Sequence, residues 1–237
     1  QMVQQIHSVF RDELFNGRVA LVTGGGSGIG FRTALELSYL GCTVVISARK
    51  KDRLDEAARI INNFLSTTTS KGKVLSIPMN VRSEESRNEC ITKILEITGK
   101  IDYLVNNAGG QFPTPAEHCS KKGWDAVIDL NLTALFMLSR EVLTRTFKEN
   151  HFGVIVNVIA DMWRGFPGMV HTGAARAAVH NLTQTLGVEW AKYGVRVVSV
   201  APGTIDSTGL NSYGPGMREV LEESKKLNYA YRFGTVE

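Results

Sequence analysis

Short apolar runs alternate with amphipathic stretches along nearly the whole chain. Residues 18–23 form a run of Val, Ala and Leu that stops at glycines, as a buried strand does. Residues 29–40 then place Ile29, Ala34, Leu35, Leu37 and Leu40 at helical spacing and close on Gly41. The alternation continues with a β-branched strand over 43–48, a helix over 52–65 and a polar loop over 66–70. A strand over 74–79 and a helix over 83–98 follow, the latter with Ser83 as N-cap ahead of Glu84 and Glu85. The pattern ends with a strand over 101–106, a long helix over 124–149, a strand over 153–159, a long apolar helix over 173–193 and a strand over 195–200. Strands that read as continuous Val/Ile runs, each followed by a helix, predict a parallel sheet with helices on both faces. Right-handed crossovers make that sheet doubly wound, with a switch point in its strand order. No repeat, linker or second core interrupts the pattern, so residues 1–237 are expected to form a single α/β domain. Residues 1–17 read as an N-terminal extension whose Val9, Phe10, Leu14 and Phe15 are expected to pack on the body.

Composition narrows the function. The formal charge is +4, but Lys and Arg are scattered with no run of five or six, which argues against a nucleic-acid surface and suits an anionic ligand. The three cysteines include no CxxC pair, so neither a disulfide framework nor a metal site is expected. No stretch approaches the ~18 consecutive apolar residues of a membrane span. Residues 1–17 are too polar for a secretory signal, and residues 232–237 are not a peroxisomal SKL-type address.

The segment Thr23-Gly-Gly-Gly-Ser-Gly-Ile-Gly30 follows a strand and opens a helix, which is the context of the dinucleotide-binding fingerprint on a Rossmann-type sheet. Gly24 permits the tight turn, Gly28 clears the approach of a pyrophosphate, and Gly30 lets helix and sheet pack. Ser27 and Ile29 complete the turn, whose helix N-terminus offers free N–H groups to phosphates. At the end of the second strand, Ala48-Arg49-Lys50-Lys51 carries no carboxylate before Asp52. A guanidinium there can pair a 2′-phosphate bidentately, so NADP(H) is expected rather than NAD.

Asn106-Asn107-Ala108-Gly109 closes the fourth strand. With the glycine turn it resembles the short-chain dehydrogenase/reductase family from Gly17 to about Gly209. The resemblance implies that Asn107, Ala108 and Gly109 line the adenine-ribose side, that Asn80 and Val81 meet adenine, and that Pro202, Gly203 and Ile205 hold the nicotinamide carboxamide. It also implies a catalytic Asn at Asn131 and a Tyr-x-x-x-Lys pair. That pair is missing: Thr172 stands at the Tyr position and Arg176 at the Lys position, where it also meets the cofactor, and Ala160 falls where a Ser is expected.

A threonine is a poor general acid, and an Arg cannot relay a proton, so alcohol–ketone chemistry is poorly served. Reduction of a C=C bond conjugated to a thioester asks less, mainly donors to a developing enolate oxygen. Thr172, Arg176 and Asn131 are the candidate donors, and His171 is either a further donor, a proton source for C2 or a wall residue. The runs Asn106-Asn-Ala-Gly-Gly-Gln-Phe112, Pro115-Ala-Glu-His118 and His171-Thr-Gly-Ala-Ala-Arg-Ala-Ala178 are similar to the trans-2-enoyl-CoA reductases of peroxisomes. That resemblance implies an acyl-CoA substrate, a peroxisomal setting and a homo-oligomer. The 2,4-dienoyl-CoA reductases and carbonyl reductases of the same family are the alternative, as is a non-catalytic NADPH-binding protein. Gln111, Phe112 and Phe166 are expected to line the acyl pocket, with Trp163 a weaker candidate and His180 structural or at a subunit contact. Residues 206–232 are expected to form a substrate lid in which Met217, Val220, Leu221 and Tyr229 cover the acyl chain and Lys225, Lys226 and Arg232 meet coenzyme A phosphates. The family adds a helix and a seventh strand after a Gly-Thr-Val-Glu-like stretch, so the sheet is expected to lack an edge strand.

Overall fold

The computed structural model describes residues 6, 8–207, 222, 223, 225–227 and 230–236. Its strands are β1 (Val19–Thr23), β2 (Thr43–Ser47), β3 (Lys73–Ser76), β4 (Tyr103–Asn106), β5 (Gly153–Val158) and β6 (Val195–Val200). They form one sheet in the order β3-β2-β1-β4-β5-β6, with every ladder parallel. The order reverses at β1, which pairs with both β2 and β4, so the expected switch point lies between the ends of β1 and β4.

The side chains of β1 show how the sheet is filled. Val19 and Leu21 enter one apolar cluster with Ile91, Leu138, Phe147 and Leu186, whereas Ala20 and Val22 enter the other with Leu35, Leu54 and Ile61. Successive strand residues point to opposite faces, and both faces are dry, so the strands read as unbroken apolar runs. The first cluster packs under α3 (Glu84–Thr98), α5 (Ala134–Val142) and α7 (Val170–Trp190), and the second under α1 (Gly28–Tyr39) and α2 (Lys51–Leu65).

The long helix differs from its predicted span of 124–149. It opens earlier, with α4 (Lys121–Ile128), because Ser120 caps it by accepting from the Gly123 N–H. It then passes through a π turn at Asp129–Thr133, α5, a second π turn at Leu143–Phe147 and α6 (Lys148–Asn150). In the first π turn the Asn131 side-chain amide donates to the Val127 carbonyl four residues back, an acceptor an α-helix would give to a backbone N–H. Helix α7 also opens earlier than 173, and β3 is shorter than 74–79, although Ile77 and Met79 still donate to Ile46 and Ala48. The N-terminal extension is corrected in part. Val9 and Phe10 are 92% and 55% exposed and do not pack on the body, while Phe15 lies edge-on to Tyr103 and Ile6 is buried. Among the described residues no helix is long and apolar enough to cross a membrane, and no cluster of His, Cys, Asp and Glu could hold a metal ion.

One buried ion pair ties the helical layer to the binding edge. Arg87 of α3 donates from Nε and Nη2 to the two carboxylate oxygens of Glu141 on α5, each at 2.8 Å. Its Nη1 donates to the Val81 carbonyl at 2.8 Å, fixing the loop after β3. Removing one partner strands a charge in the interior. Glu141→Ala is expected to destabilise the protein by about 3–5 kcal/mol, and the apolar pair Arg87→Met with Glu141→Leu to recover most of that loss, as read by urea unfolding.

Candidate active site

At the cofactor edge, Thr23 ends β1 and locks two loops together. Its Oγ1 donates to the Val105 carbonyl at 3.2 Å and accepts from the backbone N–H groups of Asn107 and Ala108, both at 3.0 Å. The Asn107 side chain returns the tie, donating to the Thr23 carbonyl at 2.9 Å. This clamp leaves no room for side chains: a Cβ on Gly30 would lie 2.5 Å from both Asn107 Nδ2 and the Gly24 oxygen. Gly24 itself sits at φ +69°, a left-handed backbone that favours glycine. Ser27 is the N-cap of α1, with extended backbone and a hydroxyl that makes no capping bond. Ser27, Gly28 and Ile29 therefore present unspent donors at the mouth of the loop, a cradle that fits a pyrophosphate.

The other residues expected to meet a cofactor fall along the same edge. Arg49 and Lys50 are exposed at the end of β2, with Lys50 as N-cap of α2. Asn80 spends its Oδ1 on its own turn, accepting from the Arg82 N–H at 3.2 Å. Val81 and Ala108 share a small pocket with Thr23, Asn106 and Leu130. The Pro202 carbonyl accepts from the Asp161 N–H, and Ile205 forms a parallel bridge with Gly234 beyond exposed Gly203.

At the other end of the candidate site, α7 carries Arg176 and Thr172. Arg176 is 9% exposed and reaches back to β5, where Nη1 donates to the Val158 carbonyl at 3.1 Å. It packs on Gly109: a Cβ there would lie 2.4 Å from Arg176 Nη2 and 2.8 Å from Asn131 Oδ1. No carboxylate pairs with Arg176 among the described residues. Burial pulls its pKa down to about 10, which still leaves it cationic near pH 7. One helical turn earlier, Thr172 is fully buried, and its Oγ1 lies 3.1 Å from His171 Nδ1. His171 is buried too, its Nε2 has no partner, and the Phe112 ring lies 4.6 Å from its own. Burial lowers the His171 pKa below its ordinary 6.5.

Three expectations change. Asn131 is a clamp rather than a free donor: its Nδ2 donates to the Gly110 and Val127 carbonyls at 2.7 and 2.9 Å, and its Oδ1 accepts from the Gly110 N–H at 3.2 Å. Phe166 belongs to an apolar cluster with Leu135, Ile159, Met162 and Val179, and packs on Gly173, so it braces α7 more than it faces open space. Lys225 and Lys226 pair with Glu222 and Glu223 of their own segment rather than standing free for phosphates. Gln111 and Phe112 are exposed, as a pocket rim requires, and Phe112 is wedged between His171 and Gly123. Exposed Trp163 stands edge-on to His180 at 4.9 Å, which accounts for both residues by packing. Of the expected lid, Met217, Val220, Leu221 and Tyr229 lie outside the described residues.

One buried network escaped the sequence reading. Asn106 donates to Ser139 Oγ and Asn157 Oδ1, and Asn157 donates to Thr183 Oγ1, each at 2.9 Å. It links α5, β4, β5 and α7 beneath the site. The only signal in the sequence is an Asn at matching places in two apolar strands, which pair in register.

The His171 environment predicts a pH dependence of stability. Its folded pKa is depressed, so between that value and 6.5 the unfolded chain binds the proton and the native chain resists it. Stability is full above pH 6.5 and falls as pH drops through the folded pKa. His171→Asn is expected to flatten this slope, measured as the difference in Tm between the two proteins from pH 7.5 to pH 5.

With this geometry in place, likeness to known proteins is informative. A family model described as short chain dehydrogenase matches residues 18–216. The peroxisomal 2,4-dienoyl-CoA reductase [(3E)-enoyl-CoA-producing] of Rattus norvegicus is 40% identical over 90% of this chain and 71% of its own length. A probable 2,4-dienoyl-CoA reductase [(2E)-enoyl-CoA-producing] of Bacillus subtilis (strain 168) is 35% identical over 89% of this chain and 79% of its own. Among solved structures, the citronellol catabolism dehydrogenase (AtuB) of Pseudomonas aeruginosa PAO1 superposes with a TM-score of 0.81 at 41% identity, covering 97% of this chain and 86% of that one. Glycine cradle, strand order and family match agree, and the chain belongs to the short chain dehydrogenase family, a family of nicotinamide-dependent oxidoreductases.

Proposed function

We propose that this chain catalyses NADPH-dependent reduction of the C2=C3 bond of a trans-2-enoyl-CoA in fatty-acid metabolism. The observation that carries this reading is Arg176, a buried cation with one backbone hydrogen bond and no carboxylate, one turn from the buried hydroxyl of Thr172. An uncompensated interior charge is costly to hold. It is useful where a reaction brings negative charge to it.

The residues at the cofactor edge fit NADP(H). Ser27, Gly28, Ile29 and Gly30 hold the pyrophosphate, Asn80 and Val81 border adenine, and exposed Arg49 and Lys50 meet the 2′-phosphate, with no acid at that strand end. When bound, this cofactor supplies the hydride for C3 of the acyl chain. As C3 is reduced, the electron pair of the double bond moves onto the thioester oxygen. Arg176 and Thr172 stabilise that oxygen by charge and hydrogen bonding in a site screened from water. Asn131 keeps Gly109 and Gly110 in place beneath them, and Phe112 covers His171. C2 takes its proton in a later step, so no phenol is required.

A second reading, reduction of a 2,4-dienoyl-CoA, is favoured by the names of the rat and Bacillus proteins. The same donors serve it, because the charge again collects on the thioester oxygen. The peroxisomal name of the rat protein supports a peroxisomal setting, and we extend the proposal to a homo-oligomer assembled through the long helices.

In a spectrophotometric assay, NADPH is expected to be oxidised when a medium-chain trans-2-enoyl-CoA is added, and NADH much more slowly. Faster turnover of a dienoyl-CoA, with a 2-enoyl or 3-enoyl product by mass and retention, favours the second reading. Turnover of a simple ketone alone makes the chain a carbonyl reductase. Tight NADPH binding without turnover of any acceptor makes it a binding protein. Arg176→Met is expected to lower kcat by about 10²–10³-fold, the effect of losing one oxyanion donor. Arg49→Asp is expected to raise KM for NADPH while leaving kcat near its original value, since this contact is made equally in ground and transition states.

A further inference from the structure

Thr172 differs from five other helical threonines in where its hydroxyl goes. Thr33, Thr98, Thr146, Thr183 and Thr185 all donate to the carbonyl four residues back. Thr172 lies in the first turn of α7, and the carbonyl four residues before it, Gly168, instead accepts from the Thr114 N–H at 2.7 Å. The partner that Thr172 Oγ1 finds is His171 Nδ1, at 3.1 Å. Both side chains are fully buried.

That contact has two forms, set by the imidazole tautomer. With the proton on Nε2, Nδ1 is an acceptor and captures the Thr172 proton. The hydroxyl then has nothing to donate, and Nε2–H is a buried donor with no partner. With the proton on Nδ1, His171 donates to Thr172 Oγ1, the Thr172 proton is released, and what remains unpartnered at Nε2 is a lone pair. Orphaned buried backbone N–H groups are rarer than under-satisfied acceptors, and the same preference carried over to the ring favours the second form.

We propose that His171 is a positioning residue: its neutral imidazole, protonated on Nδ1, turns the Thr172 hydroxyl proton away from the ring so that it can be donated to the acyl thioester oxygen. The inference rests on the acyl-CoA reading above for the identity of that acceptor, but not for the tautomer. Burial keeps the ring neutral near pH 7. Arg176, at i+4 from Thr172 on the same helix face, supplies charge where Thr172 supplies the proton. A threonine hydroxyl has one proton to give, and it is available to a substrate when Nδ1 carries its own proton and does not accept that of Thr172.

The first test reads the tautomer without any substrate. Long-range ¹H–¹⁵N spectra of the full, ¹⁵N-labelled chain, with His171 assigned by its loss in His171→Asn, are expected to show Nδ1 protonated at pH 7. Protonation at Nε2 overturns the proposal. The second test is kinetic. Asn places an amide N–H near the Nδ1 position, whereas Gln reaches the Nε2 position instead. His171→Asn is expected to keep kcat within roughly tenfold of the original, and His171→Gln to lose roughly 10²-fold in kcat with little change in KM for NADPH, as for a lost oxyanion donor. In a Thr172→Val background the two His171 variants are expected to have equal kcat, because the group they orient is gone. Equal losses in Asn and Gln with Thr172 present overturn the positioning role. An Nδ1–H tautomer together with no turnover of any acyl-CoA leaves the tautomer assignment standing and defeats the functional reading.

Discussion

A guanidinium that enters the interior with no paired carboxylate among the described residues must be held by something, and what holds Arg176 fixes the start of α7. It is anchored by the Val158 carbonyl at the end of β5 and by the bare backbone of Gly109 after β4. Both contacts come from the sheet, while Arg176 itself belongs to α7. The position of that helix, and so of Thr172 and His171 in its first turn, is therefore fixed against two strand ends at once. A Cβ at Gly109 would occupy the space of the guanidinium, so the glycine that closes the Asn-Asn-Ala-Gly turn serves the cation as much as the turn.

The two cations singled out from the sequence do different work because their surroundings differ. Arg49 is exposed, where its charge is screened and contributes little to stability, but where a ligand phosphate can reach it. Arg176 is buried, where an unpaired charge opposes folding and an arriving negative charge is felt at low dielectric. The first suits cofactor choice and the second suits the stabilisation of charge during a reaction.

Between them lies a scaffold of satisfied amides. Asn107 binds the glycine loop to the turn after β4, Asn131 binds that turn to the π segment of the long helix, and the Asn106–Asn157 pair binds β4, β5 and their helices. Each side chain uses its donors on backbone, on a buried hydroxyl or on another buried amide, so little of it remains for a ligand. This is why Asn131, whose residue type alone suits a donor to substrate, becomes part of the support instead.

The alternation of apolar runs and amphipathic helices determined the parallel, doubly wound sheet, because strands covered on both faces must be apolar throughout. The glycine spacing determined the phosphate cradle, and the absence of an acid beside Arg49 determined the expected cofactor, since both depend on local backbone and on neighbours in sequence. Thr172 and Arg176 were legible as a departure from the expected Tyr and Lys, but not as a buried, carboxylate-free cation beside an orphaned histidine nitrogen. Those properties depend on what meets α7 from distant parts of the chain: Gly109, Val158 and Phe112, and Thr114, which takes the Gly168 carbonyl. The fate of Asn131 is settled by such partners, and a linear sequence does not say which backbone carbonyls are already taken.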